Sequence, residues 1–104
     1  MTHRTSYSAE IFSHKHVEEN GDLIEMRIWR VPKSGSYPEG IVYSLVYIRE
    51  GKRLIGYDNE NHGTGLSNHH KHVKNRIKSY QFEDEWKLIA DFSNDICNIR
   101  SGVI

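Results

Sequence analysis

The stretch from Gly40 to Asp58 restricts the fold more than any other part of the chain. Its first half holds Ile41, Val42, Tyr43, Leu45, Val46, Tyr47 and Ile48, a run apolar on both faces and rich in β-branched and aromatic side chains, as a central strand requires. Glu50-Gly51 then makes a tight turn, and Lys52 to Asp58 returns with Leu54 and Gly56 on one face against Ile55 and Tyr57 on the other. A turn this short joins antiparallel neighbours, so the sheet grows outward from a hairpin.

Upstream, Leu23 to Val31 alternates, with Ile24, Met26 and Ile28 opposite Glu25, Arg27 and Trp29, and Pro32 ends it. Asn20-Gly21 tolerates the backbone angles of a hairpin turn and links this strand to a first one spanning Tyr7 to His16. Lys33 to Glu39, with Pro38, is a connecting loop too short for a crossover helix. Downstream, Asn59 to Asn75 has no apolar period and contains Gly63 and Gly65, so it reads as a loop with room for a short strand at its end; Ile77 to Phe82 adds a further strand. From Asp84 onward, Trp86, Ile89, Phe92, Ile96 and Ile99 recur at steps of three or four and draw an apolar stripe down a helix. Asp84 and Glu85 suit its positive end, and Gly102 lies just past its finish. The expected fold class is α+β, an antiparallel meander sheet of about five strands with one C-terminal helix packed on one face, in a single domain over residues 1–104.

Fourteen Lys and Arg balance fourteen Asp and Glu. No field therefore draws the whole molecule onto nucleic acid or an acidic membrane, and a polyanion site must be a local patch. No apolar run approaches the length of a membrane span, and Met1 to Glu10 lacks the apolar segment of a secretory signal, so a cytoplasmic protein without membrane contact is expected. The single cysteine, Cys97, cannot form an internal disulfide and reads as a small apolar core residue.

Chemistry-bearing residues concentrate between Tyr57-Asp58-Asn59-Glu60 and His69-His70-Lys71-His72. Two uses fit this mixture. His70 and His72 lie two apart, as do His14 and His16, so each pair projects to one side of an extended segment; together they can offer imidazoles to zinc or nickel. A lysine inside each pair opposes a cation. The second use is acid/base chemistry: cleaving RNA through its 2′-hydroxyl needs a base, an acid and a cation for the phosphoryl charge. His70 and His72 suit the first two roles and Lys71 the third, with Asp58 and Glu60 orienting the imidazoles. Tyr57, Asn59, Arg76 and Lys78 are candidates for holding substrate, and no cofactor or resident metal is expected. Tyr43, Tyr47, Tyr57, Tyr80 and Trp29 stack on bases if they share an exposed face, and otherwise belong to the core. Arg27, Arg30, Arg49, Lys52 and Arg53 near strand ends form either a basic patch or a solvated edge.

These segments, with Tyr80-Gln81-Phe82, Leu88-Ile89-Ala90-Asp91-Phe92, Glu25 to Pro32, Tyr43-Ser44-Leu45 and Gly51, resemble the TumE family of toxin–antitoxin toxins in order and spacing from about Asp22 to Ile96. The family's His-Lys/Arg-His segment corresponds to His70, Lys71 and His72. Where relatives often carry Tyr-Arg-Leu, this chain has Tyr43-Ser44-Leu45 and lacks that central-strand cation. The resemblance implies a prokaryotic, cytoplasmic growth-inhibiting toxin whose partner is a small antitoxin, often a helix-turn-helix protein. Combined with the histidine loop, it leads to an expected metal-independent endoribonuclease; the alternative is a non-catalytic protein- or metal-binding module using the same histidines.

Overall fold

The computed structural model describes residues 9–60 and 69–104; the expected strand start at Tyr7 and the glycines Gly63 and Gly65 lie outside the described residues. Six strands, β1 (Ala9–Val17), β2 (Leu23–Arg30), β3 (Ile41–Arg49), β4 (Lys52–Asp58), β5 (His70–Val73) and β6 (Arg76–Ser79), pair antiparallel in chain order, followed by α1 (Glu85–Arg100). The α+β meander is as expected, with one more strand than expected. Lys74 adopts a positive φ of 56°, which turns the chain back and pairs His70–Val73 with Arg76–Ser79. Four-residue strands show no apolar alternation of their own. The last strand correspondingly ends at Ser79, beyond which the Tyr80 N–H still donates to the His69 carbonyl at 3.1 Å, and the Tyr80 and Phe82 side chains pack on the core.

Backbone geometry explains the turns. Glu50 and Gly51 both have positive φ, 51° and 76°, the pair of left-handed residues whose twist matches a hairpin. At the β1–β2 turn only Gly21 takes that conformation; Asn20 instead accepts the Asp22 N–H through its side chain at 2.9 Å.

The helix begins where Asp84 accepts the Lys87 N–H at 2.8 Å, capping an otherwise orphaned donor. Its buried face consists of Leu88, Phe92, Asp95, Ile96 and Ile99. Trp86 does not join it and is 72% exposed, because two positions from Leu88 places it roughly 200° around the helix. Cys97 is likewise exposed, which corrects its reading as a core residue: it sits one position beyond Ile96, turned away from the sheet.

Packing is centred on β3, β4 and the helix, with Ile28, Leu45, Ile55, Leu88 and Phe92 removed from solvent. Tyr43, Tyr47 and Tyr57 are core residues, so they offer no stacking platform. Their phenols need partners in the interior. Tyr47 donates to Asp22 at 2.5 Å, beside Arg49, and Tyr57 donates to Asp95 at 2.5 Å; the Tyr43 hydroxyl lies 3.0 Å from His69 Nδ1. Arg100 at the helix end pairs with Glu18 of the β1–β2 turn. No helix among the described residues is long and apolar enough to cross a membrane.

Asn59, the residue after β4, is 1% exposed and bonds twice to β3. Its amide nitrogen donates to the Ile41 carbonyl at 2.7 Å, and its oxygen accepts the Tyr43 N–H at 2.9 Å. One side chain thus stands in for the next rung of the ladder. Asn59→Ala should orphan both backbone groups and lower unfolding free energy by roughly 2–6 kcal/mol, from about 1–3 per buried unsatisfied group, read as a reduced denaturant midpoint at unchanged slope.

Candidate functional site

Side chains alternate across a strand, so the pairing of β5 on β4 decides which groups meet. Asp58 lies opposite His70 and Gly56 opposite His72, which puts Asp58, His70 and His72 on the sheet face away from α1. The Asp58 carboxylate reaches both rings, at 2.9 Å to His70 Nε2 and 3.5 Å to His72 Nε2. The two rings stand edge to face at 5.3 Å. All three side chains are partly buried, in a groove of about 470 Å³ whose walls include Ser44, Arg53, Glu60 and Ile77.

Gly56 makes this arrangement possible. A Cβ there would lie 2.8 Å from Arg53 Cδ, so the arginine side chain crosses the space that glycine leaves open and approaches His72. Burial first and Arg53 second push the His72 imidazole below its ordinary value of 6.5, while Asp58 pulls the other way. The shift favours the neutral, proton-accepting form of His72.

The remaining sequence-derived candidates lie elsewhere. Lys71 projects from the opposite face of β5, where its ammonium sits 3.2 Å from Asp95 and 3.3 Å from the Tyr57 hydroxyl. Tyr57 is buried against Phe92 and Tyr80 on that same face. Arg76 and Lys78 pair with Val73 and Lys71 and so share the helix-side face, beside Ile104. Asn59 is occupied in the ladder, whereas Glu60 lines the histidine groove. His14 and His16 lie on β1, four strands from β5 and on the helix-side face, stacked in a row with Phe12. The two His-Lys-His segments therefore do not converge, and His14, His16, His70 and His72 do not form one site.

The sequence reading missed one residue of the groove, Arg53, and grouped His69 with a cluster from which the fold separates it. Arg53 was visible only as part of a basic stretch, although the glycine three positions later was the clue to where its side chain goes. His69 falls on the helix side: Nε2 meets Glu39 at 3.1 Å, Nδ1 meets the Tyr43 hydroxyl, and the ring stacks on Phe82 at 5.0 Å. Only tertiary structure brings those three partners to it.

Chemically, the groove offers two imidazoles sharing one carboxylate, with a guanidinium beside them. Its three candidate ligand atoms from Asp58, His70 and His72 lie within 4.8 Å of one another, close enough to surround one small cation. Because His72 binds its proton less readily in the folded than in the unfolded chain, stability should fall as pH drops below 6.5 toward the folded midpoint. In an NMR titration the His72 ring should titrate below 6.5; Arg53→Ala should raise that midpoint, and Asp58→Asn should lower it further. A midpoint at or above 6.5 in the parent protein contradicts this geometry.

The family model described as "Toxin TumE" matches residues 2–100 of the chain. No curated protein and no solved structure matches it.

Proposed function

The chain belongs to the TumE toxin family, and from that premise, a toxin of a toxin–antitoxin system with an antitoxin as partner, we propose that it acts by cutting RNA without a metal ion. The observation that carries this reading is the Asp58 carboxylate in contact with both His70 and His72 in an open groove. Two imidazoles within reach of one phosphate can supply the base and the acid that attack by the 2′-hydroxyl uses.

In this reading His72, held neutral by burial and Arg53, accepts the proton of the 2′-hydroxyl. The 2′-oxygen forms a bond to the adjacent phosphorus as the bond from phosphorus to the 5′-oxygen breaks. His70 donates a proton to that leaving oxygen, giving a 2′,3′-cyclic phosphate and a free 5′-hydroxyl. Asp58 holds both rings, and Arg53 takes the charge-stabilising role that Lys71, on the other face, is not placed to fill. The antitoxin is proposed to be a helix-turn-helix protein encoded beside the toxin, and the site of action to be the cytoplasm; growth arrest relieved by co-expressing that neighbour supports the pairing.

His70→Ala and His72→Ala should each reduce RNA cleavage by about 10²–10⁴-fold and abolish growth arrest while leaving the circular dichroism spectrum unchanged. Lys71→Gln should do the reverse, weakening the fold by removing the partner of Asp95 while cleavage per folded molecule persists. Histidine variants that cut RNA like the parent would sink the proposal.

The compact ligand set favours one second reading, a non-catalytic module that binds a zinc-like cation through Asp58, His70 and His72. Tag-free protein separates the two. Cleavage that survives a chelator supports the acid/base reading, whereas stoichiometric zinc and loss of folding on chelation support the metal-binding one.

A further inference from the structure

A second cavity, of about 160 Å³, opens on the same sheet face and is lined by Arg27, Trp29, Val42 and parts of β3, together with Ser44 and Glu60. Ser44 and Glu60 also border the histidine groove, so the two hollows are neighbours that share a wall. The sheet sets their spacing: Arg27 pairs with Ser44, Ser44 with Asp58 and Asp58 with His70, one row running straight across four strands. With strands about 4.8 Å apart, Arg27 and His70 lie three spacings, roughly 14 Å, apart at the backbone, and their side chains reach toward each other over the Ser44–Asp58 rung, leaving a gap that the base and phosphate of one nucleotide can span.

The groups in this cavity are those that hold a base. Trp29 is half-buried on the open face and offers a ring on which a base can stack, unlike Tyr43, Tyr47 and Tyr57, which are sealed in the core. Neither Arg27 nor Glu60 takes part in an ion pair among the described residues. A carboxylate beside a phosphate-binding groove repels the backbone, so its favourable partners in RNA are N–H donors. Guanine alone among the four bases presents two adjacent N–H donors, N1–H and N2–H, that a carboxylate can bind together, and it offers O6 and N7 as acceptors to an arginine.

Extending the RNA-cutting reading, we infer that the cavity formed by Arg27, Trp29 and Glu60 is a subsite for a guanine base, placed one nucleotide from the phosphate that His70 and His72 attack. Glu60 receives the Watson–Crick edge, Arg27 the acceptor edge, and Trp29 the face of the ring. Glu60, read from sequence as orienting a histidine, becomes on this inference the residue that chooses the base.

Binding tests the subsite apart from cleavage. In a Trp86→Phe background Trp29 is the remaining tryptophan, and its fluorescence reports the cavity. Guanosine monophosphate should quench it at lower concentration than the adenosine, cytidine or uridine monophosphates. Glu60→Gln in that background should raise the guanosine monophosphate concentration needed by about tenfold or more while leaving the other three unchanged. Equal quenching by all four nucleotides, no quenching, or indifference to Glu60→Gln overturns the inference. Protein that binds guanosine monophosphate this way but cuts no RNA keeps the subsite and sinks the ribonuclease, whereas cleavage without base preference sinks the subsite alone.

Discussion

β5 pairs with β4 so that His70 faces Asp58 and His72 faces Gly56, and strand alternation then separates every second side chain to the opposite side of the sheet. Asp58, His70 and His72 meet in the open groove, while Lys71 and Tyr57 turn toward α1. A slip of one residue would exchange the two sets, burying imidazoles against Phe92 and exposing the lysine. At the far end of β5 the Lys74 N–H donates to the Leu54 carbonyl at 2.8 Å, which pins this register, and the positive φ at Lys74 then turns the chain back into β6. Arg53 depends on the same frame, since its path lies over Gly56.

On the helix side, large aromatic side chains supply most of the buried bulk and bring polar ends with them. Tyr57 is satisfied by Asp95, which in turn holds Lys71; Tyr47 is satisfied by Asp22, which holds Arg49. In the low dielectric of the interior these bonds are directional and costly to leave half-made, so the first set seats the helix on β4 and β5 and the second ties the β1–β2 turn to β3. This accounts for a lysine inside a histidine motif. Its charge completes the interior network, and its neighbours on the strand face away from it.

The central hairpin, the β2 strand and the helix were legible because each is long enough for its period to repeat. The β5–β6 hairpin was legible only as a short strand at the loop's end and a strand over Ile77–Phe82, with bounds set too late for the second, since His-Lys-His-Val and Arg-Ile-Lys-Ser are four residues apiece and carry few apolar side chains. Within the helix, the stripe was read one turn too wide: Trp86 was grouped with Phe92 by step alone, although Leu88 is the residue in phase with the buried face. Of the candidate site, spacing identified Asp58, Glu60, His70 and His72 as neighbours of one groove, but it grouped them with Lys71, Arg76 and Lys78, which face the helix.

By itself the sequence determined what depends on local periodicity and backbone chemistry: the antiparallel order, the turns at Gly21 and Gly51, a capped C-terminal helix, and family membership carried by short motifs at fixed intervals. Tertiary structure alone decided which of those motifs share a surface. A strand's two faces are equivalent until something covers one of them, and here the helix covers the face bearing Tyr57 and Lys71. That covering leaves Asp58, His70, His72 and Arg53 together on the other.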